Sequence, residues 1–169
     1  MKQLYFVRHG LSVMNETGFF SGRTETDLTE KGIDQAIKAG EKLKEYDINL
    51  IISSPLKRTI HTAEIIANEI NYSLVDIKIN ELFIERDFGP LEGETYIPNL
   101  GDHPGVETME HIIKRAAKAL EYLNQLTDFD NILVVSHGAM GRALRHVINN
   151  DIPFSKSPMF NNGEIVKLI

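Results

Sequence analysis

Two short segments of this chain set a histidine before a glycine: Arg8-His9-Gly10 and Ser136-His137-Gly138. Each follows a run of apolar residues, Leu4-Tyr5-Phe6-Val7 and Ile132-Leu133-Val134-Val135. A third apolar run, Leu50-Ile51-Ile52, leads into Ser53-Ser54-Pro55-Leu56-Lys57-Arg58. Two arginines and two histidines at the ends of such runs, in a chain without cysteine, describe an oxyanion site. A guanidinium fork matches phosphate oxygens bidentately. Arg58 falls in the first turn of a predicted helix, where free backbone N–H groups favour an anion. Histidine is among the residues that form covalent intermediates, so a neutral ring nitrogen attacking phosphorus would give a phosphohistidine. The other histidine and the arginines would stabilise charge on the equatorial oxygens. The leaving oxygen needs a proton, and a carboxylic acid is a usual donor. Glu81, Glu85, Asp87 and Glu92 lie together in one glycine- and proline-containing segment, and spacing alone does not choose among them.

The elements that must position these residues alternate in type. Strands are predicted at Leu4–Val7, Leu50–Ile52, Leu74–Ile79 and Ile132–Val135, with a last one at Ile165–Ile169. Thr29 is placed to cap a helix running to about Tyr46. Further helices are predicted from the Lys57-Arg58 region to about Ile70, from about Glu107 to Leu126, and from Gly138 to about Ile148. Residues 11–28 and 81–106 read as long loops. Strands separated by helices predict an α/β three-layer sandwich, a mostly parallel central sheet with helices on both faces. Ligands of such sheets bind beyond the carboxyl ends of the strands, which is where the histidines and arginines fall.

The 169 residues fit one domain, with 42% hydrophobic and 25% charged residues, a soluble globular composition. A net charge of −6 argues against a nucleic-acid partner and requires any anionic substrate to find a local basic pocket. The absence of cysteine excludes disulfides, thiolate metal sites and a cysteine nucleophile, and fits a reducing compartment. No secretory leader is expected, because Arg8 breaks the first apolar run. No stretch approaches the roughly 20 apolar residues of a membrane span, so the expected place is the cytoplasm. His103, His111 and His146 lack metal-ligand spacing; no metal and no cofactor are expected.

Taken together, these motifs resemble the histidine phosphatase superfamily, the cofactor-dependent phosphoglycerate mutases and their phosphatase relatives. The resemblance covers nearly the whole chain and implies the phosphoglycerate mutase-like fold. It implies that His9 is the phosphorylated nucleophile, that Arg8 and Arg58 are the phosphate arginines and that His137 is the second active-site histidine. Glu85, in IERDFGPLEG, sits at the general-acid position of the mutase-like branch. Ser12 and Asn15 match the phosphate-loop serine and asparagine, and Phe20-Ser21-Gly22 resembles a segment that contacts substrate. Gly138 follows His137 into the phosphate site. Asp27-Leu28-Thr29-Glu30-Lys31-Gly32 is similar to the family's helix entry.

Two departures shape the functional expectation. Mutases carry a long basic insertion after the GPLEG-like segment; here only residues 94–106 stand there, without lysine or arginine. Ala139 replaces an asparagine that mutases tend to carry after His-Gly. An unusually open site is therefore expected, which would let water reach a phosphohistidine. Arg23 is a candidate for the missing charge, with a solvated surface role at least as fitting, and Arg86, Arg142 and Arg145 read as structural or rim charges. The expected activity is a metal-independent phosphomonoesterase acting on small phosphorylated metabolites. The alternatives are a cofactor-dependent phosphoglycerate mutase and a phospho-ligand binding module with little turnover.

Overall fold

The apolar runs assemble side by side. In the computed structural model, which describes residues 2–151 and 153–169, five strands form one sheet in the order β3-β2-β4-β1-β5. They are β1 (Gln3–Arg8), β2 (Leu50–Ser53), β3 (Lys78–Ile79), β4 (Asn131–Ser136) and β5 (Ile165–Lys167). All neighbours are parallel except β5, which runs antiparallel to β1. The helices are α1 (Val13–Glu16), α2 (Glu30–Leu43), α3 (Lys57–Glu69), α4 (Met109–Gln125) and α5 (Gly138–Ile148).

The strands are apolar throughout because both sheet faces are covered, and the two-residue pleat divides them. Leu4, Phe6, Leu50, Ile52, Ile132 and Val134 face a core closed by α4 and α5. Tyr5, Val7, Ile51, Leu133 and Val135 face the opposite core, closed by α2 and α3. Thr29 caps α2 as expected, its hydroxyl accepting from Gly32 N at 3.0 Å.

Two readings of the sequence need correction. Leu74–Ile79 is not a six-residue strand. Leu74–Asp76 forms a single 3₁₀ turn, and only Lys78–Ile79 pairs, at the sheet edge. Ile77 packs on the core, but Val75 is 91% exposed and Leu74 and Ile79 are nearly half exposed, so the apolar alternation there is mostly turned to the surface. Residues 11–28 are not all loop: α1 forms because Ser12 and Asn15 make a reciprocal capping box.

Register is what positions the site. Arg8 pairs with Ser136 and Ser53 with Val135, so β1, β4 and β2 end at one level. His9 N donates to Ser136 O (3.0 Å) and Ser54 N to Val135 O (3.1 Å), carrying the alignment one residue past the strands. Gly10 is required there by space. A Cβ on it would stand 2.2 Å from the carbonyl oxygen of Gly32, so the turn after His9 lies directly against the first turn of α2.

Candidate active site

Beyond the ends of β1, β2 and β4 lies a cavity of about 310 Å³. Arg8, His9, Asn15, Ser21, Gly22, Arg58, Glu85 and Gly138 are on its wall. His9 is buried, and its hydrogen bonds define its tautomer. Nδ1 stands 2.7 Å from the carbonyl oxygen of Gly10, which only accepts, so Nδ1 carries the proton. Arg58 Nε donates to Nε2 at 3.2 Å, leaving Nε2 as the basic nitrogen. Burial, then the charges of Arg58 and Arg8, hold the His9 pKa well below the usual histidine value, so the ring is neutral near pH 7.

Arg58 reaches His9 from the first turn of α3 and is itself buried. Its Nη atoms donate to Gly22 O (2.6 Å) and Thr24 O (3.0 Å). The Gly22 contact depends on a left-handed backbone (φ +50°) that favours glycine. Burial lowers the Arg58 pKa to about 10, which still leaves it cationic at neutral pH. Arg8, at the end of β1, donates to Phe160 O at 2.7 Å.

His137 is fully buried and edge-on to His9, with ring centroids 5.2 Å apart, but it is not part of the cavity wall. Its Nε2 is 2.7 Å from the Ser54 hydroxyl, and its Nδ1 is buried without a partner. Burial first, then Arg58, His9 and Arg8, push its pKa well below the usual value.

Tertiary contacts distinguish Glu85 from its acidic neighbours. Its carboxylate caps the start of α5: Oε2 accepts from Ala139 N (3.2 Å), Oε1 from Met140 N (3.1 Å) and Arg86 N (2.8 Å). Oε2 thus accepts one hydrogen bond to the two of Oε1, and Glu85 lines the cavity. Arg115 of α4 holds the segment in place, donating to the carbonyls of Leu82, Ile84 and Glu85. Ser136 Oγ donates to Phe83 O at 2.6 Å from the sheet side. Glu107 anchors Arg115 at 2.9 Å; burial alone would raise its pKa, but the Arg115 contacts hold it below the usual carboxylate value. Glu92 is engaged elsewhere, accepting from Arg23 N and Thr24 Oγ1.

The other residues singled out in the sequence divide. Asn15 lines the cavity and accepts from Asn162 Nδ2 at 3.3 Å. Ser21 lines it with a buried Oγ that has no partner. Ser12, expected at the phosphate, is fully buried and off the wall, and its hydroxyl caps α1. Arg23 does not supply the missing charge, since it lies 3.8 Å from Asp87 and 3.7 Å from Glu107 and is absent from the wall.

Nor is the site bare. Residues 94–106 are laced to residues 18–20 by Phe20 N to Glu94 O (2.9 Å), Tyr96 N to Gly18 O (2.8 Å) and a bridge between Phe19 and Thr95. Tyr96, Ile97, Asn99 and Leu100 thereby become cavity wall. Sequence reasoning missed this strap because its hydrogen bonds are backbone to backbone. It also missed Ser54, Asn162 and Arg115, which carry no local signature; Ser53-Ser54 at a strand end was the one available cue. Among the described residues no group of three or more His, Cys, Asp or Glu is placed to hold a metal ion, and no helix is long and apolar enough to cross a membrane.

Comparison with known proteins bears on this geometry directly. The model of the histidine phosphatase superfamily (branch 1) matches residues 4–168. The chain is 32% identical to an uncharacterized phosphatase, PhoE, of Bacillus subtilis, over 96% of this chain and 86% of that one. It is 34% identical to a probable phosphoglycerate mutase, GpmB, of Erwinia tasmaniensis, over 82% of this chain and 70% of that one. Its fold superposes on the crystal structure of a putative alpha-ribazole-5'-P phosphatase from Escherichia coli with a TM-score of 0.87 at 23% identity, covering 99% of this chain and 90% of that one.

Proposed function

The chain belongs to the histidine phosphatase superfamily, and from that membership we propose that it hydrolyses phosphomonoesters of small molecules, without a metal, through a phosphohistidine on His9. The observation that carries this reading is the His9 tautomer: a neutral ring whose Nδ1–H is tied to a carbonyl and whose basic Nε2 meets Arg58 at the cavity floor.

In the first step His9 Nε2 forms a bond to phosphorus in line with the breaking P–O bond. Arg58 and Arg8 move their donors onto the phosphoryl oxygens, and the cations balance charge that spreads there. His137 contributes through Nδ1, the one ring nitrogen of the pair without a partner. Glu85 Oε2 delivers a proton to the leaving oxygen, and the alcohol departs. In the second step Glu85 takes a proton from water as its oxygen attacks phosphorus. The N–P bond breaks, inorganic phosphate leaves and His9 returns neutral. Gly138 and Asn15 border the phosphoryl position, and Ser21 Oγ is free to bond substrate.

Phosphate release from p-nitrophenyl phosphate and a panel of sugar phosphates, with chelator present, tests the reading. Wild type is expected to turn over, and His9→Ala to lose about 10⁴-fold or more. Loss of activity on adding chelator, or undiminished activity in His9→Ala, would overturn it. The similarity to a probable mutase makes 3-phosphoglycerate a necessary member of the panel, since isomerisation as fast as hydrolysis would replace this reading with a mutase.

A further inference from the structure

Four arginines line the cavity, Arg8, Arg58, Arg86 and Arg142, against one carboxylate, Glu85, in a chain of net charge −6. Arg8 and Arg58 are the phosphoryl pair. Arg86 is neutralised where it lies, 3.8 Å from Asp102, with its other donors on the carbonyls of Glu107, Leu100 and Gly101. Arg142, like Arg8 and Arg58, is without a carboxylate at ion-pair distance among the described residues, but it takes no part in the chemistry above and is 7% exposed. Its Nη2 donates to Phe154 O (2.9 Å) and Ser155 O (3.3 Å), its Nε has no partner, and its Nη1 points at the sulfur of Met159, 3.2 Å away.

A thioether is a weak acceptor, and a methionine side chain is readily re-posed. Met159 is 43% exposed beside the cavity that both residues line, so a ligand can displace its sulfur without unpacking the core. A buried guanidinium facing sulfur rather than a counter-charge is destabilised, and an incoming anion relieves that. One guanidinium matches one carboxylate; a second phosphate dianion would call for more positive charge than remains. The wall around it is apolar, with Phe20, Phe88, Tyr96, Met109 and Phe154.

Resting on the phosphatase reading, we propose that Arg142 recognises a carboxylate on the leaving alcohol, displacing the Met159 sulfur from Nη1, and that the preferred substrates are phosphomonoesters whose leaving group joins that carboxylate to an apolar body. Arg142 is thus a specificity residue supplied by α5, in place of the basic insertion that residues 94–106 lack.

The test compares kcat and KM for phenyl phosphate with those for 3- and 4-carboxyphenyl phosphate, in wild type, Arg142→Gln, Arg142→Lys and Met159→Leu. Wild type is expected to favour at least one carboxyphenyl ester about tenfold in kcat/KM, mainly through KM. Arg142→Gln should bring that ratio near one, and Arg142→Lys should retain part of it. Met159→Leu, which removes the competing sulfur but leaves the guanidinium, should lower KM for the carboxylate ester. Phenyl phosphate alone reports on the phosphatase reading. If wild type hydrolyses it without favouring either carboxylate ester, or if Arg142→Gln lowers all esters equally, the Arg142 proposal falls and the phosphatase stands. If wild type hydrolyses no ester, both fall.

Discussion

His9 and Arg58 at the floor of the cavity, with His137 behind His9, stand where three neighbouring strands end, and all three are buried. At its mouth, Tyr96, Ile97 and Met159 stand on loops, 39%, 53% and 43% exposed. The floor is tied by hydrogen bonds that fix individual side-chain atoms, such as the His9 tautomer. The mouth is tied by backbone bonds that fix the path of the strap and leave its side chains free to meet a ligand. A rigid sheet edge holds groups to the tolerance that in-line attack needs, whereas loops can change leaving-group preference without disturbing it. On this view floor variants should act on kcat and on folding together, and mouth variants on KM alone.

The largest effect is expected from Arg58→Ala. On the proposed mechanism it removes a phosphoryl cation, and it should lower kcat/KM about 10³-fold. It also strips donors from the Gly22 and Thr24 carbonyls, for about 1–3 kcal/mol of stability. Steady-state kinetics with a urea melt would read both, and a loss in one without the other would break the link drawn for the floor.

Glu85→Gln should cost about 10²–10⁴-fold in kcat for alkyl phosphates. The loss should be smaller for p-nitrophenyl phosphate, whose leaving oxygen needs no proton. Equal losses on both would move the acid elsewhere.

A third prediction follows from the two buried histidines. Their native pKa values lie well below 6.5, so between those values and 6.5 the unfolded chain binds protons that the native chain does not. Stability should therefore be at its full value above about pH 6.5 and fall as pH drops below it, by up to about 1.4 kcal/mol per pH unit for each histidine. His137→Gln should flatten the profile in denaturant titrations at pH 7.5, 6.5 and 5.5; an unchanged slope would mean that the ring is charged in the native state.

At the mouth, Tyr96→Ala should raise KM about three- to tenfold with kcat within twofold, through lost contact area on the leaving group. An effect on kcat as large as that on KM would erase the contrast between the regions. The smallest effect is expected from Ser12→Ala, which removes the α1 cap for about 1 kcal/mol with KM unchanged. A raised KM would return Ser12 to the phosphate site.

Much was legible in the sequence because it is written in short-range pattern. Apolar runs ending in Arg-His-Gly and Ser-His-Gly, helical spacing after Thr29, and the order of motifs along the chain determined an α/β sheet and four principal candidates, Arg8, His9, Arg58 and His137; Glu85 comes from the family resemblance alone, since spacing leaves Glu81, Glu85, Asp87 and Glu92 open. The Leu74–Ile79 segment shows the limit of that pattern, since its alternation is mostly turned to the surface and only Lys78–Ile79 pairs. Only the tertiary structure decided what each polar side chain is used for. It set Ser12 to cap α1, bound Arg23 to Asp87 and Glu107, fixed Glu85 at the start of α5 with Arg115 behind it, and left Arg142 facing a sulfur. The physical reason is range. A strand or a cap is selected by neighbours a few residues away, whereas the pairing and burial of a charge depend on groups that only the folded chain brings together.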